Sequence, residues 1–381
     1  MKKARLLAAG AALALLTGCA PGQMYLAVTP HEEQYVAQEN ADALVVSDYE
    51  GLQSALQLLI TRMDETGLIR VYGYESGDVS EDVAKAVYQA AKQTALGTYS
   101  VDYITYDCSQ VVSYYEIALH ITYTKTAQQM ARLVTTRGSN AVRSRIAGAL
   151  EQYETKLLLY VYSFEDFDLD AYVQQYYEEH PATVQALPEA RWQRYPETGS
   201  ECILELQFSY PVPAQTLLRY QSEVSAVAAA AVDFVQYRET EREKLQLLYF
   251  YLSERFQYEE GTTITPVYSV LCEGVADSGG MARAMQVLCS ALGLECRTVH
   301  GTLDGEDWDW NIVRVDGQYY HADAMRALRS GASELTLNLD SAMSGYSWDT
   351  ALYPVCALRP DTGLELRGED GGIQENVLPG S

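Results

Sequence analysis

Basic side chains are the first shortage: 27 Lys and Arg stand against 52 Asp and Glu, a formal net charge of −25. A chain this acidic is repelled by phosphate backbones and anionic headgroups, which excludes nucleic acid as a partner and charge-driven membrane binding. Phenylalanine is scarce too, six residues against thirty tyrosines. Tyrosine pairs an apolar ring with a wet end and so suits half-exposed sheet faces and ligand grooves. None of the seven cysteines forms a C-x-x-C, so no zinc framework is expected. The acidic stretch from Glu165 to Asp170 lacks the Gly turn and distal Glu of an EF-hand loop and reads as a solvated loop. No cofactor and no metal site are expected. The N-terminal apolar run, Leu6 to Leu16, is too short to cross a bilayer permanently.

What remains is ordinary globular material, 48% hydrophobic and 21% charged over 381 residues, enough for two or three domains. Lys2, Lys3 and Arg5 precede the apolar run, and Leu16-Thr17-Gly18-Cys19 matches the bacterial lipobox. Residues 1–18 are thus expected to be a lipoprotein signal peptide, with Cys19 diacylated as the mature N-terminus. Two acyl chains anchor stably. The expectation is an exported protein held to the outer face of the bacterial cell membrane through Cys19, with 19–47 as its tether. Cys108, Cys202, Cys272, Cys289, Cys296 and Cys356 are then an even set in a compartment that permits disulfides, their pairing left open.

From 48 to 220 the chain repeats an order of elements: amphipathic helix (51–63; 141–153), apolar strand (68–74; 156–162), second helix (79–97; 168–180), alternating strand (115–123; 202–210). The offset stays near about 88 residues, the signature of an internal duplication. Two small α/β repeats, 48–135 and 136–220, are therefore predicted. No chemistry is visible in them. His120, among Ile117, Leu119 and Ile121, falls on the polar face of its strand. A connecting helix, 221–238, leads to a second helix at 240–256 with Leu245, Leu248, Tyr249 and Leu252 on one face. Residues 359–381 read as a polar C-terminal tail.

The stretch Cys272–Asp323 carries the informative pattern. Met281, Ala284, Met285 and Leu288 predict a helix over 279–292, which Gly293 stops. Strands follow at 296–301, 308–315 and 318–322, the last two joined by an Asp316-Gly317 hairpin turn. Leu292-Gly293-Leu294-Glu295-Cys296, Trp310-Asn311, Tyr320-His321, Asp323 and Leu337-Asn338-Leu339-Asp340 lie at the spacings of one known pattern. Trp348-Asp349 and Tyr353-Pro354 close it.

On these residues 239–358 resembles the transglutaminase-like superfamily, papain-like domains with a Cys-His-Asp triad. The resemblance implies an α+β fold, a C-terminal transglutaminase-like domain preceded by the two α/β repeats. Carried over position by position, it puts Ser278 where the family has its nucleophilic Cys, Trp308 where it has its His, and Asp323 on its Asp. Acyl transfer needs a thiolate, an imidazole to hold it and a carboxylate to orient the imidazole. An indole accepts no proton. No catalytic residue is therefore expected. Ser278 is expected to cap the helix, Asp323 to bond Trp308 Nε1 or a tyrosine, and a degenerate groove lined by Trp308, Trp310, Tyr320 and His321 to bind a peptide, a glycan or a cell-envelope protein, or to serve as scaffold. The alternative is a rearranged acyl transferase or peptidase using Ser278 or Cys272 with His321 and Asp323. Cys272, though followed by Glu-Gly like the family nucleophile, falls six residues early, ahead of the helix.

Overall fold

The computed structural model describes residues 43–75, 77–255 and 258–358. Cys19, the stretch read as a signal peptide, most of that read as a tether and the stretch read as a tail lie outside these. The first repeat runs β1 (Leu44–Val46), α1 (Tyr49–Arg62), β2 (Thr66–Tyr72), α2 (Val79–Lys92), α3 (Ala95–Ser100), β3 (Val101–Val111) and β4 (Tyr114–Tyr123). After a single turn, α4 (Ala127–Met130), the second runs β5 (Val134–Arg137), α5 (Ser139–Glu151), β6 (Lys156–Tyr162), α6 (Leu169–Glu179), β7 (Glu189–Tyr195) and β8 (Cys202–Ser209). The sheets have one topology, β1-β2-β4-β3 and β5-β6-β8-β7. In each, a short first strand pairs in parallel with the apolar one, Leu44 beside Ile69 and Val134 beside Leu159. The remaining pairs are antiparallel, with Ile69 opposite Ile117 and Leu159 opposite Leu204.

Local chemistry sets the helix ends. Asp48 caps α1 by accepting the Gly51 amide at 2.7 Å, and Asp168 caps α6 through the Ala171 amide at 2.9 Å; each satisfies a donor that the first turn leaves open. Between α2 and α3, Thr94 takes the cap, so the helix expected over 79–97 is two helices. The boundaries also shift. β1 falls within the stretch read as tether, because Leu44 and Val46 complete the edge of the first sheet, and β5 straddles the expected division at 135–136. His120 is exposed, as its strand alternation requires. The repeats dock helix on sheet: Leu158 and Ile203 of the second sheet join the first repeat's buried cluster, and Tyr99 on α3 packs edge-on to Tyr195 at 5.2 Å.

α7 (Ala214–Val235) begins inside the expected second repeat, since Leu217 is buried against Tyr153 and Ala186 there. It is followed by α8 (Glu241–Arg255), the short strand β9 (Glu259–Glu260), the turn α9 (Pro266–Tyr268), β10 (Val275–Ala276) and α10 (Ser278–Ala291). Next come β11 (Cys296–Leu303), β12 (Glu306–Val315), β13 (Gln318–Ala322), α11 (Ala324–Arg329), β14 (Leu337–Asn338) and β15 (Tyr346–Trp348). Five strands form an antiparallel sheet in the order β14-β13-β12-β11-β15. Asp316 and Gly317 turn β12 into β13 with φ of 51° and 78°, the left-handed pair a tight hairpin needs. α10 lays Met281, Ala284, Met285 and Leu288 on one face of the sheet, within a core shared with α7 and α8. The other face carries Trp310, Ile312, Met343 and Cys356. The fold is α+β, with a C-terminal domain of one helix-backed antiparallel sheet behind N-terminal α/β elements. No helix among the described residues is long and apolar enough to cross a membrane.

Candidate functional site: the head of helix α10 and the aromatic side of the sheet

Strand β12 carries Asp307-Trp308-Asp309-Trp310-Asn311, and its alternation sorts these side chains onto two sides. Asn311 points at α10, donating to the Ala282 carbonyl at 2.9 Å. Trp308 Nε1 donates to Asp323 Oδ2 at 2.7 Å. The same oxygen accepts the Tyr346 hydroxyl at 2.7 Å, while Oδ1 accepts the Arg326 amide at 2.8 Å and caps α11. Asp323 thus has three donors. The Arg329 guanidinium lies 5.0 Å from the Trp308 ring centroid, held there by Glu260, which accepts from Arg329 Nε at 2.7 Å. The indole is pinned at its edge by a carboxylate and covered on its face by a cation.

Ser278 does not cap α10. Asp277 does, its Oδ1 accepting the Gly280 amide at 2.6 Å, because it stands one residue earlier with extended backbone and a stronger acceptor. Ser278 is the first helical residue, and its Oγ accepts the Asp309 amide at 3.2 Å.

Trp310 and His321 are not groove residues. Both are 1% exposed. Trp310 Nε1 donates to His321 Nδ1 at 2.8 Å, and His321 Nε2 lies 2.8 Å from Asp340 Oδ1. An indole only donates, so Nδ1 holds the lone pair and Nε2 carries the proton given to Asp340. His321 and Asp323 do approach one aromatic side, as their spacing requires, yet reach separate partners. Burial, the larger influence, lowers the His321 pKa against the opposing pull of Asp340. The ligand-type atoms of His321, Asp340 and Cys356 lie within 4.8 Å of one another. A cation at Nε2 would have to displace the proton that the Trp310 bond keeps there, so the donor chemistry does not suit a metal. Burial raises the Cys356 thiol to about 12, again unlike a ligating thiolate. Tyr320 also leaves the groove: it packs against the α10-side core, beneath Arg242 at 5.2 Å. The open space at the site lies instead beyond Asp323, a depression of about 320 Å³ that includes Arg326, Ser330, Asn338 and Tyr346 in its lining.

Cys272 sits in the turn Ser269–Glu273, separated from α10 by Gly274 and β10, and so lacks the helix end that lowers a thiol pKa. Cys108, Cys202, Cys289, Cys296 and Cys356 are free thiols.

Three residues at the head of α10 escape a reading by motif. Asp309 projects to the helix side, its Oδ2 only 3.0 Å from where a Cβ on Gly279 would stand. His300, opposite Asp309 across the β11–β12 pair, brings Nδ1 to 3.0 Å from Asp309 Oδ1. Glu178 of the second repeat reaches within 3.9 Å of His300 Nε2. The Asp309 hydrogen bond, the largest influence, raises the His300 pKa, with burial opposing it. The alternation Asp-Trp-Asp-Trp was the available signal for Asp309, since it must face away from both indoles. In chemical terms, the positive end of α10 is already met by the carboxylates of Asp277 and Asp309. They would repel a developing alkoxide or oxyanion at Ser278.

Residues 228–330 match the family model of the transglutaminase-like superfamily. No curated protein matches the chain. Among solved structures, one titled as a TGase aligns at 10% identity and a TM-score of 0.26, over 54% of this chain and 61% of that one. A candidate cysteine protease from Cytophaga hutchinsonii aligns at 12% identity and a TM-score of 0.25, over 42% of this chain and 70% of that one. A candidate protease from Parabacteroides distasonis aligns at 10% identity and 0.21, over 67% and 39%.

Proposed function

Proceeding from a transglutaminase-like domain at residues 228–330, we propose that this protein is a lipid-anchored, exported protein in which that domain does no acyl transfer and acts in binding a peptide, glycan or cell-envelope protein, or as scaffold. One observation carries the reading: no imidazole is bonded to Asp323, whose partners are the Trp308 indole at 2.7 Å, the Tyr346 hydroxyl and the Arg326 amide, so the carboxylate orients no histidine base. The hydroxyl at Ser278 is a far weaker nucleophile at neutral pH than a thiolate, and Asp277 and Asp309 beside it oppose any further ionisation. A ligand would meet the polar depression beside Asp323 rather than the buried Trp310.

The test uses purified protein with a glutamine donor and a primary amine. Neither ammonia nor cross-linked product is expected above the uncatalysed rate; turnover that Ser278→Ala abolishes would overturn the reading. The lipobox sequence Leu16-Thr17-Gly18-Cys19 supports the anchor. In bacteria expressing the full chain, Cys19→Ser is expected to move the protein out of the membrane fraction; retention there would count against lipidation.

A further inference from the structure

In a chain of net charge −25, one trough has almost no charge in its walls. It runs along the helical layer of the first repeat and ends against the sheet of the second, as two adjoining depressions of about 510 and 520 Å³ that share Gln57, Thr61 and Thr94. Each falls in the range of roughly 300–1,000 Å³ that holds small ligands. Glu201, at the second-repeat end, is the single carboxylate in the lining, and no Lys or Arg contributes.

Its polar groups are amides. α1 presents Gln53 and Gln57, α2 presents Gln89, and Gln93 follows at the end of α2. Gln89 Oε1 already accepts from the Tyr49 hydroxyl and from Gln53 Nε2, each at 2.7 Å. Its carbonyl is saturated, and the two N–H donors of Gln89 have no partner among the described residues. Neither do the side-chain amides of Gln57 and Gln93. At the far end Tyr160 and Tyr162, alternate residues of β6, stand side by side with ring centroids 4.7 Å apart. The Tyr160 hydroxyl is tied to Glu201, while Tyr162 as a residue is 37% exposed.

An anion would find no cation here and would meet the field of the whole molecule. A purely apolar ligand would strand the amides. The partner these groups fit is neutral, carries donors and acceptors in equal measure, and has C–H faces that lie on a tyrosine ring. We propose that this trough is a binding site for a neutral oligosaccharide, with the glutamine amides bonding its hydroxyls and Tyr162 serving as its stacking platform. The site is separate from the head of α10, and its occupation does not depend on whether the C-terminal domain is catalytic.

The experiment is calorimetric titration of the purified protein with chitohexaose and, separately, cellohexaose, at low and at high salt. Saturable binding of at least one oligomer is expected, unchanged by salt. It should weaken at least about tenfold in Tyr162→Ala and in Gln57→Ala, and stay unchanged in Trp192→Ala, an exposed aromatic outside the trough. Gln93→Ala, at an exposed position, provides a third variant whose folding is not at risk. The proposal fails if neither oligomer binds up to about 10 mM, a Kd worth less than about 3 kcal/mol. It also fails if binding survives all three trough substitutions or is lost in Trp192→Ala.

Discussion

Trp308 gives Asp323 a hydrogen bond from a group that accepts no proton. Asp323 accepts from Trp308 Nε1, the Tyr346 hydroxyl and the Arg326 amide, and losing one donor leaves a half-buried carboxylate with less compensation for its lost water. Trp308→Phe preserves much of the ring packing and deletes that donor, so it is expected to destabilise the protein by about 1–3 kcal/mol, as for other bonds to charged groups. Urea unfolding of the two proteins measures it; equal midpoints would mean that Tyr346 and Arg326 suffice. That Asp323 would bond Trp308 Nε1 or a tyrosine was legible in the sequence, and both bonds form. The surroundings were less so. Nothing in the spacing says that Trp310 and His321 satisfy each other in the interior, or that Asp277 outcompetes Ser278 for the cap, since both outcomes depend on which group reaches a donor first in three dimensions.

At the scale of elements, Gly301 shows how one residue type supports two readings. A glycine closing an alternating run reads as a strand end, yet β11 continues to Leu303, and Gly301 lies in its interior between β12 and β15. A Cβ there would stand 2.2 Å from the Ser347 carbonyl oxygen and 2.7 Å from the Trp310 ring. The glycine is required for close approach, as glycines inside strands often are. Because the first obstacle is backbone, it cannot swing aside. Gly301→Ala is expected to loosen β15 and to cost at least about 1–3 kcal/mol through overpacking. The near-ultraviolet dichroism should weaken as well, since Trp310 and Trp348 sit edge to face at 5.8 Å. An unchanged signal and urea midpoint would show that β15 shifts without loss. The succession of one helix and three strands along the chain was readable from the Asp316-Gly317 turn and hydrophobic alternation. β14 and β15 were not read as strands: at two and three residues they are too short to show a period.

Over the whole molecule, the recurrent order of helix, strand, helix and strand at one offset suggested two copies, and the two sheets indeed share a topology. How the copies meet each other and the last domain was not readable, because docking depends on surfaces that carry no periodicity. The second repeat reaches the transglutaminase-like domain at Glu178, whose carbonyl accepts from Gln286 Nε2 at 3.2 Å and whose carboxylate lies 3.9 Å from His300 Nε2. Gln286 also accepts from the Thr298 amide and hydroxyl through Oε1, so a single side chain on α10 ties β11 to the neighbouring repeat. His300 stands between two carboxylates, Asp309 and Glu178, with Tyr353 accepting its backbone amide and Arg283 opposing its charge. Its pKa is raised in the folded protein, chiefly by Asp309. The sign follows: the folded state binds this proton more tightly than the unfolded chain, so the contribution is fully present below the unfolded value of about 6.5 and is lost as pH rises through the folded pKa. With the imidazole 41% exposed, salt should weaken the effect. The wild type should therefore be more stable than His300→Gln near pH 6, and the gap should close by pH 9 and narrow in concentrated salt. Thermal unfolding of both proteins across that range checks it, and a gap that stays constant with pH would show that His300 acts through packing rather than charge.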